Sequence, residues 1–268
     1  MPQTVSPKQD ARLFVTGDVH GRLDDLDARM SRARLKEGDH LIVAGDVGLC
    51  YREPSRNWAT GKVELETWLV DYAEQMCAER GVTLHVMRGN HDRRYIRDIH
   101  ARLLAPEDMW VAHDSGETVS YVAEDTWPHI VFESDSGGIS TICGKHLLLI
   151  PGAYSVDKSY RLYNGLPWEA EEELDDGELA CIEKVARTHP VDAVISHTCP
   201  LTFFDEMSDL LMHGLGHISN RQEKAMDKIL EAVRETSGDV MWYYGHFHAD
   251  RSIGEHARLL YHDVVRIK

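Results

Sequence analysis

Five short clusters in the chain carry side chains suited to binding metal or moving protons. They are Asp18 with His20; Asp46; Asn90, His91 and Asp92; His197; and His246 with His248. Aspartate supplies an anionic oxygen, histidine a neutral nitrogen and asparagine an amide oxygen, and no thiolate is offered. That donor mixture suits manganese, iron or zinc better than copper(I), and holds more nitrogen than magnesium or calcium usually takes. Asp18 and His20 are two residues apart, as are His246 and His248, so in extended chain each pair faces one side. Taken singly the clusters say little. A lone D-x-H is commonly a surface loop, a lone Gly-Asp a turn, and a His-x-His one buried face of a strand. Gly89-Asn90-His91-Asp92 is more specific, and the five together in fixed order are more specific still.

The elements that would position these groups can be read from the apolar runs. Leu13–Thr16, Leu41–Ala44, Thr83–Met87, Leu147–Ile150, Ala193–Ile195 and Val240–Tyr244 are short and continuous, the pattern of strands buried on both faces. Helical spacing follows at Leu23, Leu26 and Met30, at Leu65, Trp68, Leu69, Tyr72 and Met76, and at Met226, Ile229, Leu230 and Val233. A further helix is expected over about Glu169–Arg187, with its acidic run Glu169–Asp176 as a solvated face. The first hundred residues therefore alternate strand and helix, which predicts βαβ units and a partly parallel sheet. Residues 109–150 lack a helical pattern and read as a β meander, with Val111, Val119, Tyr121, Ile130, Phe132 and Ile142 in short β-prone stretches. Each chemical cluster lies just beyond a predicted strand, where open α/β sheets bind ligands. No linker or repeat divides the chain, so residues 1–268 are expected to form a single domain.

The ordered set D-x-H, G-D, G-N-H-D, H and G-H-x-H, spanning residues 17–248, resembles the calcineurin-like metallophosphoesterase superfamily. The resemblance implies an α/β fold, a four-layer α-β-β-α sandwich of two mixed sheets flanked by helices. It also implies two divalent or trivalent metal ions. Asp18, His20 and His248 would hold the first, Asn90, His197 and His246 the second, and Asp46 would bridge them. A metal-bridging hydroxide would attack phosphorus in line, with both ions stabilising the charge that grows on the oxygens. His91 adjoins the ligand Asn90 and is the candidate general acid for the leaving oxygen, with Asp92 either orienting its imidazole or capping a helix. The expected function is a phosphoester hydrolase acting on a small phosphomonoester, phosphodiester or nucleotide. A nuclease, or a catalytically silent binding scaffold with this fold, are the alternatives.

Departures from the pattern narrow the substrate. Protein Ser/Thr phosphatases of this superfamily carry a longer second block resembling G-D-x-V-D-R-G. The present Gly45-Asp46-Val47-Gly48-Leu49-Cys50 lacks its second acid and its arginine, which argues against that branch. The segment Gly152–Arg161 resembles a block of a bacterial and phage subgroup. Within it Tyr154 and Arg161 are candidates for binding substrate phosphate, against a plain surface loop. Residues 200–220, with His213 and His217, read as a long connection near the site.

Composition sets the outer bounds. Acidic residues outnumber basic ones 45 to 29, for a net charge of −16, which argues against a duplex-binding protein. Two metal ions would still make the site locally positive. Five cysteines without C-x-x-C spacing indicate reduced thiols rather than a disulfide framework. No apolar run is long enough to span a bilayer. Met1–Arg12 lacks the apolar core of a signal peptide, so a cytoplasmic location is the expectation.

Overall fold

A computed structural model describes residues 11–49, 55–56, 63–64, 67–94, 121–122, 126–207 and 221–268. Cys50, Leu65, the 109–120 part of the expected meander, and His213 and His217 lie outside the described residues.

The apolar runs form strands because both of their faces are covered. In β1 (Leu13–Thr16) and β2 (His40–Val43), neighbouring residues alternate between two cores. Phe14, Leu41 and Val43 face one, while Leu13, Val15 and Ile42 face the other. The first core is closed from outside by helices α1 (Leu23–Arg32) and α2 (Trp68–Arg80). The second lies between two sheets, since it also takes Leu147, Leu149, Ala193, Ile195 and Tyr243 from the other half of the chain. Leu148, Ile150, Val194, Trp242 and Tyr244 point away into a third core, under helices over Asp176–Thr188 (α4) and Arg221–Ser237 (α5), which follow the short helix α3 (Lys158–Tyr163) in the chain. Four layers result, in the order helix, sheet, sheet, helix, as the resemblance implied. Burial on both faces explains why these strands read as unbroken apolar runs.

The strands β5 (Thr83–Val86), β7 (Ile130–Phe132) and β6 (Tyr121–Val122) extend the first sheet beyond β1 and β2. A last strand, β14 (Val264–Ile267), closes its edge, for the order β14-β1-β2-β5-β7-β6. The second sheet runs β12 (Arg251–Ile253), β13 (Ala257–Leu259), β11 (Met241–Tyr244), β10 (Ala193–Ser196), β9 (Lys145–Ile150), β8 (Gly138–Ile142). Both sheets are mixed. β1, β2 and β5 pair in parallel, as do β9, β10 and β11, whereas β14, β6, β12 and β8 are antiparallel edges. A separate two-stranded ladder joins β3 (Ser55–Arg56) to β4 (Val63–Glu64).

Three expectations are corrected. The meander does not form one sheet, because β7 belongs to the first sheet and β8 to the second. Helix α2 buries Val70, Ala73, Met76 and Cys77, while Trp68 and Tyr72 stay 60% and 43% exposed. Small side chains let the helix lie close to its sheet, and Tyr72 instead reaches across to Asp24 on α1 at 2.8 Å. The helix expected at Glu169 starts at Asp176. There Asp175 accepts the Glu178 amide at 2.8 Å, and Glu178 returns the bond at 2.9 Å, a capping box. The acidic run before it forms only a 3₁₀ turn over Ala170–Glu172, and Glu172 faces inward.

Glu223, in the first turn of α5, is buried with Thr198 donating to one oxygen at 3.0 Å. Its other oxygen has no hydrogen-bond partner among the described residues. Burial pushes this carboxyl up to about 7. A raised carboxyl favours the fold while it is protonated, so its contribution is intact below the usual carboxylate range and lost as pH rises through about 7. Glu223→Gln is therefore expected to stabilise the metal-free chain at pH 8, by on the order of 3 kcal/mol relative to its effect at pH 5. Urea melts of both proteins at the two pH values measure this. An equal difference at both would remove the assignment.

Candidate metal centre

Strands β1, β2 and β5 are parallel neighbours, as are β10 and β11, so their carboxyl ends open on shared edges. Asp18 follows β1 by two residues, His197 follows β10 directly, and His246 and His248 follow β11. The structure brings all seven expected metal ligands together.

The i, i+2 geometry differs from the extended chain expected. His20, Asp46, His246 and His248 have φ values of 51°, 49°, 69° and 48°, in the left-handed region that non-glycine residues seldom occupy. Sharp turns, not strand alternation, aim these side chains inward, and such strain concentrates at functional sites. The turns pack against each other closely enough that two glycines are required. A Cβ on Gly89 would collide with the Asp46 carboxylate, and one on Gly245 with that of Asp18.

Two donor groups can be distinguished. In the first, His248 Nε2 lies 3.0 Å from Asp18 Oδ2 and 3.0 Å from His20 Nε2, and the three side chains converge as a metal-ion cradle. Asp18 Oδ2 is buried and has no hydrogen-bond partner among the described residues. In the second, Asn90 Oδ1 lies 2.8 Å from His197 Nε2 and 3.0 Å from His246 Nδ1. Asp46 stands between the groups. Its Oδ2 is 3.7 Å from His20 Nε2 and its Oδ1 is 3.5 Å from His197 Nε2.

The polar bonds around the centre fix which atoms face inward. His197 Nδ1 lies 2.8 Å from the Ala44 carbonyl, which can only accept, so Nδ1 carries a proton and Nε2 is the nitrogen turned inward. Asn90 Nδ2 donates to Ser155 Oγ at 2.8 Å, which turns its Oδ1 toward the histidines. Ser155 in turn donates to Glu172, and Glu172 is clasped by Arg161 at 2.6 and 3.0 Å. The Oδ1 of Asn90, Nε2 of His197 and Nδ1 of His246 thus converge on one another, as the donor atoms around a cation do. The donor set fits metal ions on this count and on the orphaned oxygen of Asp18.

The electrostatics agree. Burial opposes charge on His197, but Asp46 and then Asp18 outweigh it and push the imidazole up to about 9. Asp46, although buried, is held well below the usual carboxylate range by His197. Burial and the charge of His197 press His246 down to about 3, and burial lowers His20, which leaves both as neutral nitrogen donors.

Two expected site residues have structural partners. Asp92 joins two loops. Its carboxylate accepts the backbone amides of Val47, Gly48 and Gly89 at 3.0, 2.8 and 3.0 Å, stapling the Asp46 loop to the Asn90 loop. It does not cap a helix within the described residues, since Arg93 and Arg94 are not helical. Arg161 lies 3.0 Å from Asp157 as well as bonding Glu172, so the guanidinium offered to a phosphate is already matched by carboxylates. Tyr154 is half-buried, with the Lys158 ammonium 5.8 Å from its ring centre. His91 lies beside His20, ring centres 5.5 Å apart, and its amide donates to Asp46 Oδ1 at 2.8 Å.

Residues the sequence did not single out hold the ligands in place. Arg29 is buried in α1 and donates to the Gly17 and Asp18 carbonyls at 3.1 and 3.0 Å, and to the Tyr261 carbonyl. Its position three residues after Leu26, on the apolar face, is the signal that could have found it. Tyr261 stacks on His248 at 4.9 Å, and Arg22 holds its hydroxyl at 2.7 Å. Ser155 and Glu172 complete the set. Ser155→Ala removes the acceptor that orients the Asn90 amide, and is expected to weaken Mn(II) binding to the second group by about 10- to 100-fold. Competition titration with a metal indicator checks this, and two unchanged affinities would dismiss the relay.

The calcineurin-like phosphoesterase family matches the chain over residues 11–250. One similar solved structure is 13% identical, with 93% of this chain and 89% of that one covered and a TM-score of 0.46. Another, of a protein of unknown function from Aquifex aeolicus, is 11% identical, with 96% of each chain covered and a TM-score of 0.37. No curated protein matches the sequence.

Proposed function

The chain belongs to the calcineurin-like phosphoesterase family, and from that premise we propose that it hydrolyses a small phosphoester with the help of two metal ions. Asp18, His20 and His248 would hold one ion, Asn90, His197 and His246 the other, with Asp46 shared. Two such ions supply an acidified water near neutral pH and positive charge opposite the phosphoryl oxygens. The observation that carries the reading is the placement of Asp46, whose two oxygens face the two donor groups at similar distance.

The chain's own residues do the rest. The Ala44 carbonyl keeps His197 in one tautomer, and Ser155 keeps the Asn90 oxygen facing inward. Asp92 locks together the two loops that carry Asp46 and Asn90. His91 is half-buried beside His20, at the edge of a cavity, and from there gives a proton to the leaving oxygen. The block after Asp46 carries Leu49 and Cys50 where the protein phosphatases present an acid and an arginine, which favours a small substrate over a phosphoprotein. The net charge of −16 weighs against nucleic acid.

Assay of the purified protein with Mn(II), Fe(II) or Zn(II) on p-nitrophenyl phosphate and bis-p-nitrophenyl phosphate tests the proposal. Metal-dependent release of p-nitrophenol is expected, and preference for one compound assigns monoester or diester. Hydrolysis of neither with any of the metals would leave the chain a binding scaffold.

A further inference from the structure

A cavity of about 350 Å³ opens beside the candidate centre, with Asn90 and His91 in its wall. We propose that it seats the leaving group of the substrate, and that this group carries an uncharged planar ring, such as an aryl ring or the base of a nucleoside. The inference rests on the phosphoester reading above, since it takes His91 to mark the leaving side.

Size comes first. The volume lies at the small end of ligand pockets, suited to one ring system and too small for a folded partner. Part of the wall is apolar and aromatic, built from Tyr160, Leu166, Pro167 and Trp168. Trp168 also lines a second, more open cavity of about 690 Å³, and Lys158, which lies 3.7 Å from the centre of an indole ring, lines that cavity and not the first. The lysine thus holds the indole by a cation–π contact without entering the first cavity, where the ring remains an aromatic surface on which planar rings stack.

The cationic charges of the wall are already matched. Arg93 pairs with Glu169 at 3.2 Å, Arg94 with Glu178 at 2.6 Å, and Arg161 with Glu172 at 2.6 Å. Five carboxylates and three guanidiniums line the cavity. An additional anionic group would meet arginines that are engaged and carboxylates in excess, which selects against a leaving group that is itself a phosphate or carboxylate. A neutral ring meets no such opposition.

Calorimetric titration of the Mn(II)-loaded protein with three non-hydrolysable phosphonates tests this. The probes are 1-naphthylmethylphosphonate, methylphosphonate and 3-phosphonopropanoate. The naphthyl compound is expected to bind at least about ten-fold tighter than the methyl compound, the scale of one stacked ring, and the carboxylate compound no tighter than methyl. Trp168→Ala should collapse the naphthyl-to-methyl ratio. Leu166→Asp, at a position 45% exposed, should do the same and serves if the first variant does not fold. Equal binding of the naphthyl and methyl compounds, tightest binding of the carboxylate compound, or a preference that survives both substitutions overturns the assignment alone. Binding of none of the three overturns it together with the phosphoester reading.

Discussion

Replacing Asp46 with asparagine is expected to lower Mn(II)-dependent hydrolysis of p-nitrophenyl phosphate by on the order of 10³-fold, the scale of several kcal/mol of lost charge stabilisation. The side chain is buried, and its two oxygens lie 3.5 Å from His197 Nε2 and 3.7 Å from His20 Nε2. Asparagine keeps the shape but removes the anion, and whichever way the amide turns, one donor group faces an NH₂ in place of an oxygen. The His91 amide, which donates to Oδ1 at 2.8 Å, favours the orientation that keeps the carbonyl oxygen there. The loss should then fall on the His20 side. Kinetics with metal analysis of the same sample check both parts. Unchanged turnover with an unchanged metal content would contradict the placement.

The second large effect is expected from His91→Ala. General acid catalysis contributes about 10²–10⁴-fold, and is felt only where the leaving oxygen is basic enough to need a proton. Hydrolysis of alkyl phosphates should therefore fall by about that factor, while p-nitrophenyl phosphate, which expels a weakly basic phenolate, loses far less. A plot of log kcat against leaving-group pKa should steepen in the variant, with metal content as in the native protein. A parallel loss for all leaving groups would mean that His91 binds or positions and does not donate.

The candidate ligands are legible in the sequence because each is a local signal: a polar residue of metal-binding type within a few residues of a strand end. Strand order then brings β1, β2, β5, β10 and β11 to common edges without further information. What could not be read locally was the partner of each polar group. Asp92 sits next to His91 in sequence, yet bonds amides 44 and 45 residues away. Arg161 looked like a phosphate ligand because Glu172, eleven residues on, read as one more acid in a solvated run. Tyr261 supports His248 only because the chain returns through β14 to the edge of the first sheet. That strand and β12 and β13 are three or four residues long, too short for a two-residue period to stand out. The face of α2 was misread for a different reason. Bulky apolar residues carry the pattern on paper, whereas close packing selected Val70, Ala73 and Cys77.

The most direct measurement is Mn(II) stoichiometry with electron paramagnetic resonance on the loaded protein. Two ions per chain with an exchange-coupled spectrum are predicted, because Asp46 faces both donor groups. Binding of a single ion, or two ions with uncoupled spectra, would contradict a shared two-metal centre.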